Sequence, residues 1–442
     1  MTKPRLSVIG TGYLGATHAV CMAELGFDVI GLDIDPGKVA RLSAGEVPFF
    51  EPGLDELLRK ALDSGRLRFT TSYDEVAAHA DVHFICVGTP QRKGEFAADM
   101  TYVDAAVDSL APRLDRPCVV AGKSTVPVGT AERLAAQLAR EAPAGADVEL
   151  VWNPEFLREG YAVEDTMRPD RLVFGVTSER GEAVLRAAFA PLVDAGVPVV
   201  VTDLATAQLV KVSANAFLAT KISFINAMAE VCESVHADVK KLSEALSYDS
   251  RIGGRFLHAG LGFGGGCLPK DIRAFMARAG ELGVDQALSF LQEVDAINQR
   301  RRARMVDLAR ECVDDSFQGR RVGVLGAAFK PNSDDIRDSP ALDVASRIQK
   351  AGAHVVVYDP AALDNARRDY PDLDYADSLA DAARDADVLL HLTEWREFRD
   401  MDPHVLDGVV RHKSIVDGRN ALDPELWRAA GWHYRALGRP QE

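Results

Sequence analysis

A glycine-rich turn between two apolar segments near the N-terminus constrains the fold more than any other feature of this chain. Arg5–Ile9 (RLSVI) reads as a strand, and the turn GTGYLG follows at residues 10–15. A stretch of helical composition continues to Leu25, and Asp28–Asp33 (DVIGLD) then reads as a second strand that ends in an acid. This order is typical of the βαβ unit that binds a dinucleotide, in which glycines let the backbone approach a pyrophosphate at a helix N-terminus.

The acid at the end of the second strand distinguishes between two cofactors. The carboxylate of Asp33 is placed to accept hydrogen bonds from both ribose hydroxyls, and it would repel a 2′-phosphate. The sequence therefore predicts NAD rather than NADP, although the turn alone would also suit a purely structural role. The fingerprint contacts predicted for NAD are Gly10, Gly12, Tyr13, Leu14, Gly15 and Asp33.

Apolar, strand-like runs alternate with helical stretches over the next part of the chain. These runs are Val82–Val87, Val119–Gly122, Val148–Trp152 and Leu172–Gly175. The alternation predicts an open, mostly parallel sheet with helices on both faces. Since ligands of such sheets bind beyond the carboxyl ends of the strands, three turns are candidates to line a site. They are GTP at 88–90, STVP at 124–127 and NPEF at 153–156.

A second strand–helix–strand–Asp pattern extends from Arg321–Gly326 (RVGVLG) to His354–Asp359 (HVVVYD). It predicts a second Rossmann-like domain, with later strands at Val388–Leu392 and Ser414–Asp417. The turn GAAFK at 326–330 lacks the glycine fingerprint. It therefore suits NAD poorly, whereas its lysine could meet a different phosphate.

A helical pattern without Pro or Gly extends from about residue 203 to residue 237. Its apolar core stripe consists of Leu218, Ile222, Ile225, Ala229 and Cys232. Continued backward at the same spacing, the stripe reaches Asn215 and Lys211. Either these two side chains project into a cleft, or the helix has emerged into solvent at that point. A helix of this length suits a linker between two domains and also a dimer interface.

The segment GLGFGGGCLPKD at 260–271 carries the most reactive chemistry in the sequence. Its glycines predict a flexible loop that allows close backbone approach, and Pro269 suits the first turn of a helix. Cys267 would then lie at a helix N-terminus, where the dipole favours a thiolate, with Asp271 on the same helix face. The alternative is a buried cysteine beside a helix-capping aspartate.

An NAD site gives such a thiol a specific purpose. An alcohol that loses a hydride becomes an aldehyde, which cannot lose a second hydride until a nucleophile makes it tetrahedral. A thiolate does this as a thiohemiacetal, and the next hydride loss leaves a thioester that water hydrolyses. NAD with an activated cysteine therefore indicates oxidation of an aldehyde, or of an alcohol through two steps.

Composition excludes several classes of protein. Lys and Arg total 51 against 66 Asp and Glu, a formal charge of −15 that makes a broad nucleic-acid-binding face improbable. Six sparse cysteines indicate no disulfide scaffold, and without CxxC or paired His spacing we expect no metal. No apolar run reaches the roughly 18 residues of a membrane span, and the first residues do not resemble a secretory signal. We therefore expect a cytoplasmic protein without a membrane partner.

Five motifs make the chain similar to the UDP-glucose/GDP-mannose dehydrogenase family over essentially its whole length. They are KSTVPVGT at 123–130, NPEFLREG at 153–160, KVSANAFLATKISFINAMAE at 211–230, SRIGGRFLHAGLGFGGGCLPKD at 250–271 and FKPNSDDIRDSP at 329–340. The resemblance implies an α/β fold with two Rossmann-like doubly wound domains, joined by a long central helix and a helical dimerisation domain. It places an NAD domain at 1–202, the central domain at 203–317 and a UDP-sugar domain at 318–442. It also implies a homodimer and NAD-dependent, two-step oxidation of a nucleotide sugar, UDP-glucose, at C6 to UDP-glucuronate.

The resemblance also assigns roles to residues. Cys267 matches the nucleophile, Lys211 the lysine beside the reacting oxygen and Asn215 its neighbour. Asp271 and Thr125 match the pair that positions a water, and Glu155 matches the acid/base of the hydrolytic step. Further NAD contacts would be Lys38, Thr89, Thr125, Glu159, Lys270 and Arg337. Contacts to the nucleotide sugar would be Glu155, Phe156, Leu157, Glu159, Lys211, Asn215, Arg251, Phe256, Leu257, His258, Ala259, Gly260, Gly264, Phe329, Lys330 and Arg419.

Two departures from the family pattern leave the substrate more open than the reaction. Gly266 stands where many relatives have Ser, and Leu-Pro-Lys after the cysteine also suits the GDP-mannose branch. GDP-mannose or a UDP-N-acetylhexosamine is therefore the alternative substrate. A catalytically silent protein that binds nucleotide sugars is a third interpretation, which the intact Lys211, Cys267 and Asp271 disfavour.

Overall fold

The structure is a computed structural model that describes residues 3–440. Its strands are β1 Leu6–Ile9, β2 Val29–Leu32, β3 Leu67–Thr70, β4 Val82–Ile85, β5 Cys118–Gly122, β6 Val148–Trp152, β7 Leu172–Gly175, β8 Val199–Thr202, β9 Arg321–Leu325, β10 His354–Tyr358, β11 Asp374–Tyr375, β12 Val388–His391, β13 Ser414–Asp417 and β14 His433–Ala436.

Helices connect most of these strands. They are α1 Tyr13–Glu24, α2 Pro36–Ser43, α3 Leu54–Asp63, α4 Tyr73–His79, α5 Thr101–Leu110, α6 Thr130–Glu141, α7 Ala162–Met167, α8 Glu179–Ala188, α9 Ala190–Asp194, α10 Leu204–Val235, α11 Val239–Ser247, α12 Leu268–Glu281, α13 Phe290–Glu311, α14 Pro340–Lys350, α15 Leu363–Asp369, α16 Leu379–Ala383, α17 Arg396–Arg399 and α18 Pro424–Ala429.

The chain divides into two compact units. The first contains the residues up to Ala214 together with Arg273–Gly283, and the second contains Asn215–Ile272 and the residues from Val284 onward. Each unit has one large sheet as its centre.

The sheet of the first unit has the order β3-β2-β1-β4-β5-β6-β7-β8. Its neighbouring strands are parallel, except that β6 and β7 are antiparallel. Along β1, Leu6 and Val8 belong to one hydrophobic core and Ile9 to another. Because successive side chains point to opposite faces, this alternation means that both faces are covered, as in a doubly wound fold.

The sheet of the second unit has the order β11-β10-β9-β12-β13-β14 and is parallel throughout. Its core includes Val324, Leu389 and Ile415, none of which is exposed. Two Rossmann-like domains and a mostly parallel first sheet were predicted, and both are confirmed.

The long central helix is also confirmed. Helix α10 has 32 residues, so it is roughly 48 Å long at 1.5 Å per residue. Lys211 and Asn215 are only 5% and 8% exposed. The interpretation in which the helix emerges into solvent at these residues is therefore wrong.

Four cysteines lie in the cores as their apolar surroundings predict, namely Cys21, Cys86, Cys118 and Cys232. Cys267 differs from them because it is exposed. Across residues 3–440, none of the helices is long and apolar enough to cross a membrane.

Candidate active site

The glycine turn of the first unit has the geometry that a pyrophosphate needs. A Cβ at Gly15 would lie 1.8 Å from the carbonyl oxygen of Gly10, so only glycine fits where α1 packs on the turn. A Cβ at Gly12, in contrast, would meet nothing within 4 Å. Gly12 is also the N-cap of α1 and supplies no side-chain cap. The N-terminus of α1 therefore opens onto free space at this turn, which fits the phosphates of NAD.

Asp33 follows β2 and lies beside this turn. Its Oδ2 accepts hydrogen bonds from the Thr11 amide at 2.9 Å and from Lys38 Nζ at 2.9 Å, and its Oδ1 accepts one from the Asp35 amide at 3.1 Å. Burial opposes ionisation of Asp33, but Lys38 and these amides outweigh it and lower the pKa of the Asp33 carboxyl. The carboxylate is therefore charged and held next to Lys38, the other predicted NAD contact on this side.

The turns after β4, β5 and β6 bring together several of the predicted site residues. Thr89 donates its hydroxyl to the carbonyl of Thr125 at 2.8 Å. Glu155 accepts from the Leu157 amide at 2.6 Å, and its other oxygen pairs with Lys211 Nζ at 2.9 Å. The side chains of Lys211 and Glu155 are only 6% and 13% exposed. A cation and a carboxylate in contact with little water can stabilise developing charge and move a proton.

A second buried lysine lies close to this pair. Lys123 Nζ donates to Asn153 Oδ1 at 2.8 Å, and Asn153 Nδ2 donates to the carbonyl of Val173 at 3.0 Å. Burial lowers the pKa of Lys123 to about 8, although Cys86 and Glu155 oppose the shift. Lys123 and Asn153 thus support the turn that carries Glu155.

Glu51 is a further buried carboxylate in the first unit. It accepts hydrogen bonds from the amides of Gly160 and Ala162, each at 2.7 Å, and from the hydroxyl of Tyr13. The NPEFLREG segment ends at Gly160, and Tyr13 belongs to the glycine turn. Glu51 therefore joins the turn of the NAD fingerprint to the end of the segment that carries Glu155 and Glu159.

In the second unit, Cys267 immediately precedes α12, as predicted. The Asp271 amide donates to the carbonyl of Cys267 at 2.9 Å, which closes the first helical turn. The Asp271 carboxylate is 2% exposed and contacts Asn215 Nδ2 at 2.6 Å and Lys270 Nζ at 2.6 Å. Asn215, Lys270 and Asp271 are thus brought together behind an exposed thiol. The alternative of a buried cysteine is wrong.

The glycine segment before Cys267 packs closely against neighbouring segments of the second unit. The Gly265 amide donates to the carbonyl of Arg337 at 2.8 Å, and Arg419 Nη1 donates to the carbonyl of Gly262 at 2.8 Å. A Cβ at Gly264 would lie 2.3 Å from the carbonyl oxygen of Asp338. The glycines therefore allow the close backbone approach that the sequence predicts.

Gly266, which replaces the expected serine, lies against an arginine. A Cβ at this position would lie 2.3 Å from Cζ of Arg337. Arg337 also forms an ion pair with Asp335 at 2.7 Å. The missing side chain thus makes room for the guanidinium of Arg337, a predicted NAD contact.

The predicted sugar-binding segment 256–260 is held in place by neighbouring amides. The Gly260 amide donates to Asn226 Oδ1 at 2.9 Å, and Asn420 Nδ2 donates to the carbonyl of Ala259 at 3.2 Å. Phe256 has φ of 61°, a left-handed backbone that a non-glycine residue adopts only when its surroundings impose it. Leu257 is buried, whereas His258 is exposed.

Arg419 forms hydrogen bonds to three separate segments of the second unit. Besides Gly262 it donates to the carbonyls of Leu392 at 2.7 Å and Phe329 at 3.2 Å. Phe329 and Lys330 therefore lie beside the glycine segment, while Lys330 Nζ lies 5.4 Å from the centre of the Phe329 ring. Arg251, in contrast, has a side chain that is 87% exposed and pairs with Asp249 at 2.6 Å.

Both units contain segments that match domains of one known protein family. Residues 4–193 match the NAD-binding domain of the UDP-glucose/GDP-mannose dehydrogenase family, residues 205–300 its central domain and residues 323–424 its UDP-binding domain. The chain belongs to this family. The predicted family, the predicted cofactor NAD and the prediction of an NAD-dependent oxidoreductase are thereby confirmed, and a UDP-binding domain supports a nucleotide-sugar ligand.

Individual relatives of this dehydrogenase family cover nearly the whole chain. The UDP-glucose 6-dehydrogenase of Rhizobium meliloti is 42% identical over 438 residues, covering 99% of this chain and 100% of the relative. UDP-glucose 6-dehydrogenase TuaD of Bacillus subtilis is 41% identical and covers 99% and 93%.

Two solved structures are also similar. The UDP-glucose dehydrogenase of Pyrobaculum islandicum has a TM-score of 0.90 at 38% identity, covering 99% of this chain and 98% of that one. The UDP-D-ManNAc dehydrogenase of Pyrococcus horikoshii has a TM-score of 0.84 at 26% identity, covering 98% and 99%.

Sequence reasoning missed several supporting residues. Asn153 lies in one of the turns that the strand pattern singles out, and Lys123 directly precedes another, so the position of both residues was a usable signal. Asn298 and Arg302 on α13 are buried between apolar residues of the helix, the same signal that identified Lys211 and Asn215. Glu51 gave no signal, because its partners come from distant parts of the chain.

Proposed function

We propose that this protein oxidises UDP-glucose at C6 to UDP-glucuronate with two NAD+. The relatives named as UDP-glucose dehydrogenases are 38–42% identical to this chain, whereas the UDP-D-ManNAc dehydrogenase is 26% identical. This difference favours UDP-glucose over a UDP-N-acetylhexosamine. GDP-mannose remains the second candidate because the family includes both activities.

The observation that carries the proposal is the position of Cys267, which is exposed immediately before α12 with buried Asp271 one turn behind it. NAD, when bound, accepts the hydride from C6 in each oxidation. The first oxidation releases the hydroxyl proton and leaves the aldehyde. The Cys267 thiolate then forms a C–S bond to C6 and gives a thiohemiacetal. Its oxidation gives a thioester, and water breaks the C–S bond to release the carboxylate and the thiol.

The buried Lys211–Glu155 pair supplies charge and a proton acceptor for these steps. The ammonium of Lys211 stabilises the oxygen of C6 as negative charge develops on it. Glu155 accepts the proton of the attacking water in the hydrolytic step. By resemblance to the family, Thr125 and Asp271 are the residues that position the attacking water. Asn215 lies one turn after Lys211 on α10 and donates to the Asp271 carboxylate.

The decisive experiment is the yield of NADH from each nucleotide sugar. We expect about two NADH per UDP-glucose and little reaction with GDP-mannose, UDP-N-acetylglucosamine or UDP-N-acetylmannosamine. One NADH per sugar with an aldehyde product would refute the two-step reaction, and inactivity with UDP-glucose would refute the substrate.

Cys267→Ala tests the nucleophile separately. It should abolish turnover while leaving binding of NAD+, measured by quenching of tryptophan fluorescence, within twofold of wild type. Cys312→Ala is the matched control, because this half-buried cysteine lies at the end of α13, and it should retain full activity.

We also propose a homodimer formed through α10. Phe217, Phe224 and Val231, spaced seven residues apart, are 66%, 49% and 53% exposed. Apolar side chains at this spacing form a continuous stripe on one helix face, which suits pairing with a second copy. Phe224→Glu should shift the protein to a monomer in analytical ultracentrifugation. Leu426→Glu, which changes a similarly exposed apolar residue on α18, should leave the dimer intact.

The domain division 1–202, 203–317 and 318–442 remains our proposal for the boundaries of the NAD, dimerisation and UDP-sugar domains. A cytoplasmic location accords with a reaction that consumes NAD+ and a nucleotide sugar. Cell fractionation with a tagged chain tests the location.

A further inference from the structure

Asn298 of α13 contacts the segment that leads to Cys267 through both ends of its amide. Its Oδ1 accepts a hydrogen bond from the Phe263 amide at 2.8 Å, and its Nδ2 donates to the Phe263 carbonyl at 2.9 Å. Asn298 is fully buried. One side chain thus satisfies both backbone groups of a buried residue that belongs to no helix or strand.

The neighbouring glycine depends on this contact. Gly262 has φ of +91°, and a Cβ there would lie 2.2 Å from Asn298 Oδ1. Any larger residue at position 262 would therefore displace the Asn298 amide. The close approach of Asn298 to the backbone is a reason for glycine at this position that is independent of substrate.

Arg302, one helical turn after Asn298, reinforces the contact. It is 3% exposed, donates to the carbonyl of Asp338 at 3.3 Å and forms an ion pair with the Asp338 carboxylate at 2.8 Å. It also approaches the Phe263 carbonyl at 3.4 Å. Helix α13 therefore holds the glycine segment together with the segment around Asp338.

We infer that Asn298 is a positioning residue that places Cys267 for attack on C6. The inference rests on the proposed role of Cys267 as nucleophile. Only Gly264–Gly266 separate Phe263 from Cys267, and the Gly265 amide is itself bonded to Arg337. Holding Phe263 therefore limits where the sulfur can lie, and nucleophilic attack requires reacting atoms within about 3–3.5 Å.

The test measures kcat, KM and the alkylation rate of Cys267 in Asn298→Ala. Iodoacetamide with mass spectrometry reports on Cys267 selectively, because four cysteines are buried and Cys312 is half-buried. We expect kcat to fall roughly tenfold to a hundredfold, since small displacements of a nucleophile have effects of this order. KM for UDP-glucose should change less than kcat, and alkylation of Cys267 should slow at least threefold.

The matched control is Ser223→Ala. The buried Ser223 hydroxyl donates to the carbonyl of Val294 at 2.7 Å, so its loss removes a hydrogen bond to α13 without touching the glycine segment. Both kcat and the alkylation rate should stay within twofold of wild type. If Asn298→Ala also stays within twofold in either quantity, or if Ser223→Ala has the same effect, the inference is wrong.

Two further measurements cover the case in which Asn298→Ala does not fold. Asn298→Asp keeps the acceptor for the Phe263 amide but sets a carboxylate oxygen against the Phe263 carbonyl, and it should show the same loss. Hydrogen exchange of the wild-type Phe263 amide should be slow, and exchange as fast as at exposed His258 would overturn the inference. Retained turnover in Cys267→Ala would instead refute the proposed function, while the alkylation rates would still test the role of Asn298.

Discussion

The two Rossmann-like sheets place an aspartate at the same point, after the second strand of each pattern, and use it differently. Asp359, 1% exposed, accepts from the amides of Ala327, Ala328, Ala361 and Ala362 and from the indole of Trp395. Asp33 accepts from two amides, the Thr11 hydroxyl and Lys38, whose side chain is 30% exposed.

The different hydrogen-bond partners of Asp33 and Asp359 show that the same strand order can provide a ligand-binding aspartate or a structural one. In the second sheet, backbone and indole donors occupy both carboxylate oxygens of Asp359, and the buried Ala327 and Ala328 fill the turn. In the first sheet, the turn leaves open space at Gly12. The side chain that pairs with Asp33 there is Lys38, and lysine side chains have many rotamers. A ligand can displace a lysine from Asp33 far more easily than it can displace four backbone amides from Asp359.

The largest expected effect is the difference in stability between a variant of Asp359 and the same variant of Asp33. Asp359→Ala leaves several buried donors without an acceptor and should lower the free energy of unfolding by about 3 kcal/mol or more. Urea unfolding followed by tryptophan fluorescence reports mainly on this unit, because three of the four tryptophans, Trp395, Trp427 and Trp432, lie in it and Trp152 lies in the first unit. Asp33→Ala should cost at least about 1 kcal/mol less in urea unfolding of the whole chain followed by circular dichroism, which reports on the helices of both units. Equal costs would mean that both aspartates are structural.

The glycines of the two turns form a second pair. Gly326 has φ of +113°, and a Cβ there would lie 2.4 Å from Cβ of Thr393, so Gly326→Ala should cost about 2 kcal/mol. Gly12 has φ of −70° and open space around it, so Gly12→Ala should fold within about 0.5 kcal/mol of wild type. Its methyl group should nevertheless raise KM for NAD+ at least about tenfold by occupying the phosphate space. Unchanged KM would place the cofactor elsewhere.

Cofactor preference is the third test. Asp33→Asn removes the charge that repels a 2′-phosphate, so KM for NAD+ should rise about tenfold while the relative use of NADP+ improves. Asp35→Asn is the control, because Asp35 caps α2 and asparagine caps helices equally well. An unchanged ratio of NAD+ to NADP+ use in Asp33→Asn would show that Asp33 does not face the ribose.

The smallest expected effect is the pH dependence of stability that comes from the buried Lys123 in the first unit. Because the pKa of Lys123 is lowered to about 8 in the folded protein, the unfolded chain binds more protons above that pH. Wild type should therefore gain about 1 kcal/mol of stability over Lys123→Met between pH 7 and pH 9. Thermal unfolding at a series of pH values measures this difference. A stability difference between wild type and Lys123→Met that is constant with pH would mean that the pKa of Lys123 is not lowered in the folded protein.

The strands that the sequence analysis failed to predict are the edge strands of both sheets. The sequence did not indicate β3, β8, β11 and β14, which are the outermost strands of the two sheets. Central parallel strands are covered on both faces and read as continuous apolar runs. An edge strand such as β11, which is only Asp374–Tyr375, is decided by the neighbour it pairs with rather than by its own composition. Strand β8 reads VVVT and is a strand signal that the sequence analysis missed.

The candidate site divides in the same way. Glycine turns, acids at strand ends and a cysteine before a helix are local patterns, so the amino-acid sequence alone indicates the NAD turn, Asp33, Cys267 and Asp271. Contacts between residues far apart in sequence are not local, and only the folded chain shows them. Glu51 meets Gly160, Asn298 meets Phe263 and Arg419 meets Gly262 because strands and helices converge there. The close packing of the glycine segment depends on those contacts, and glycine content alone does not show which segments it packs against.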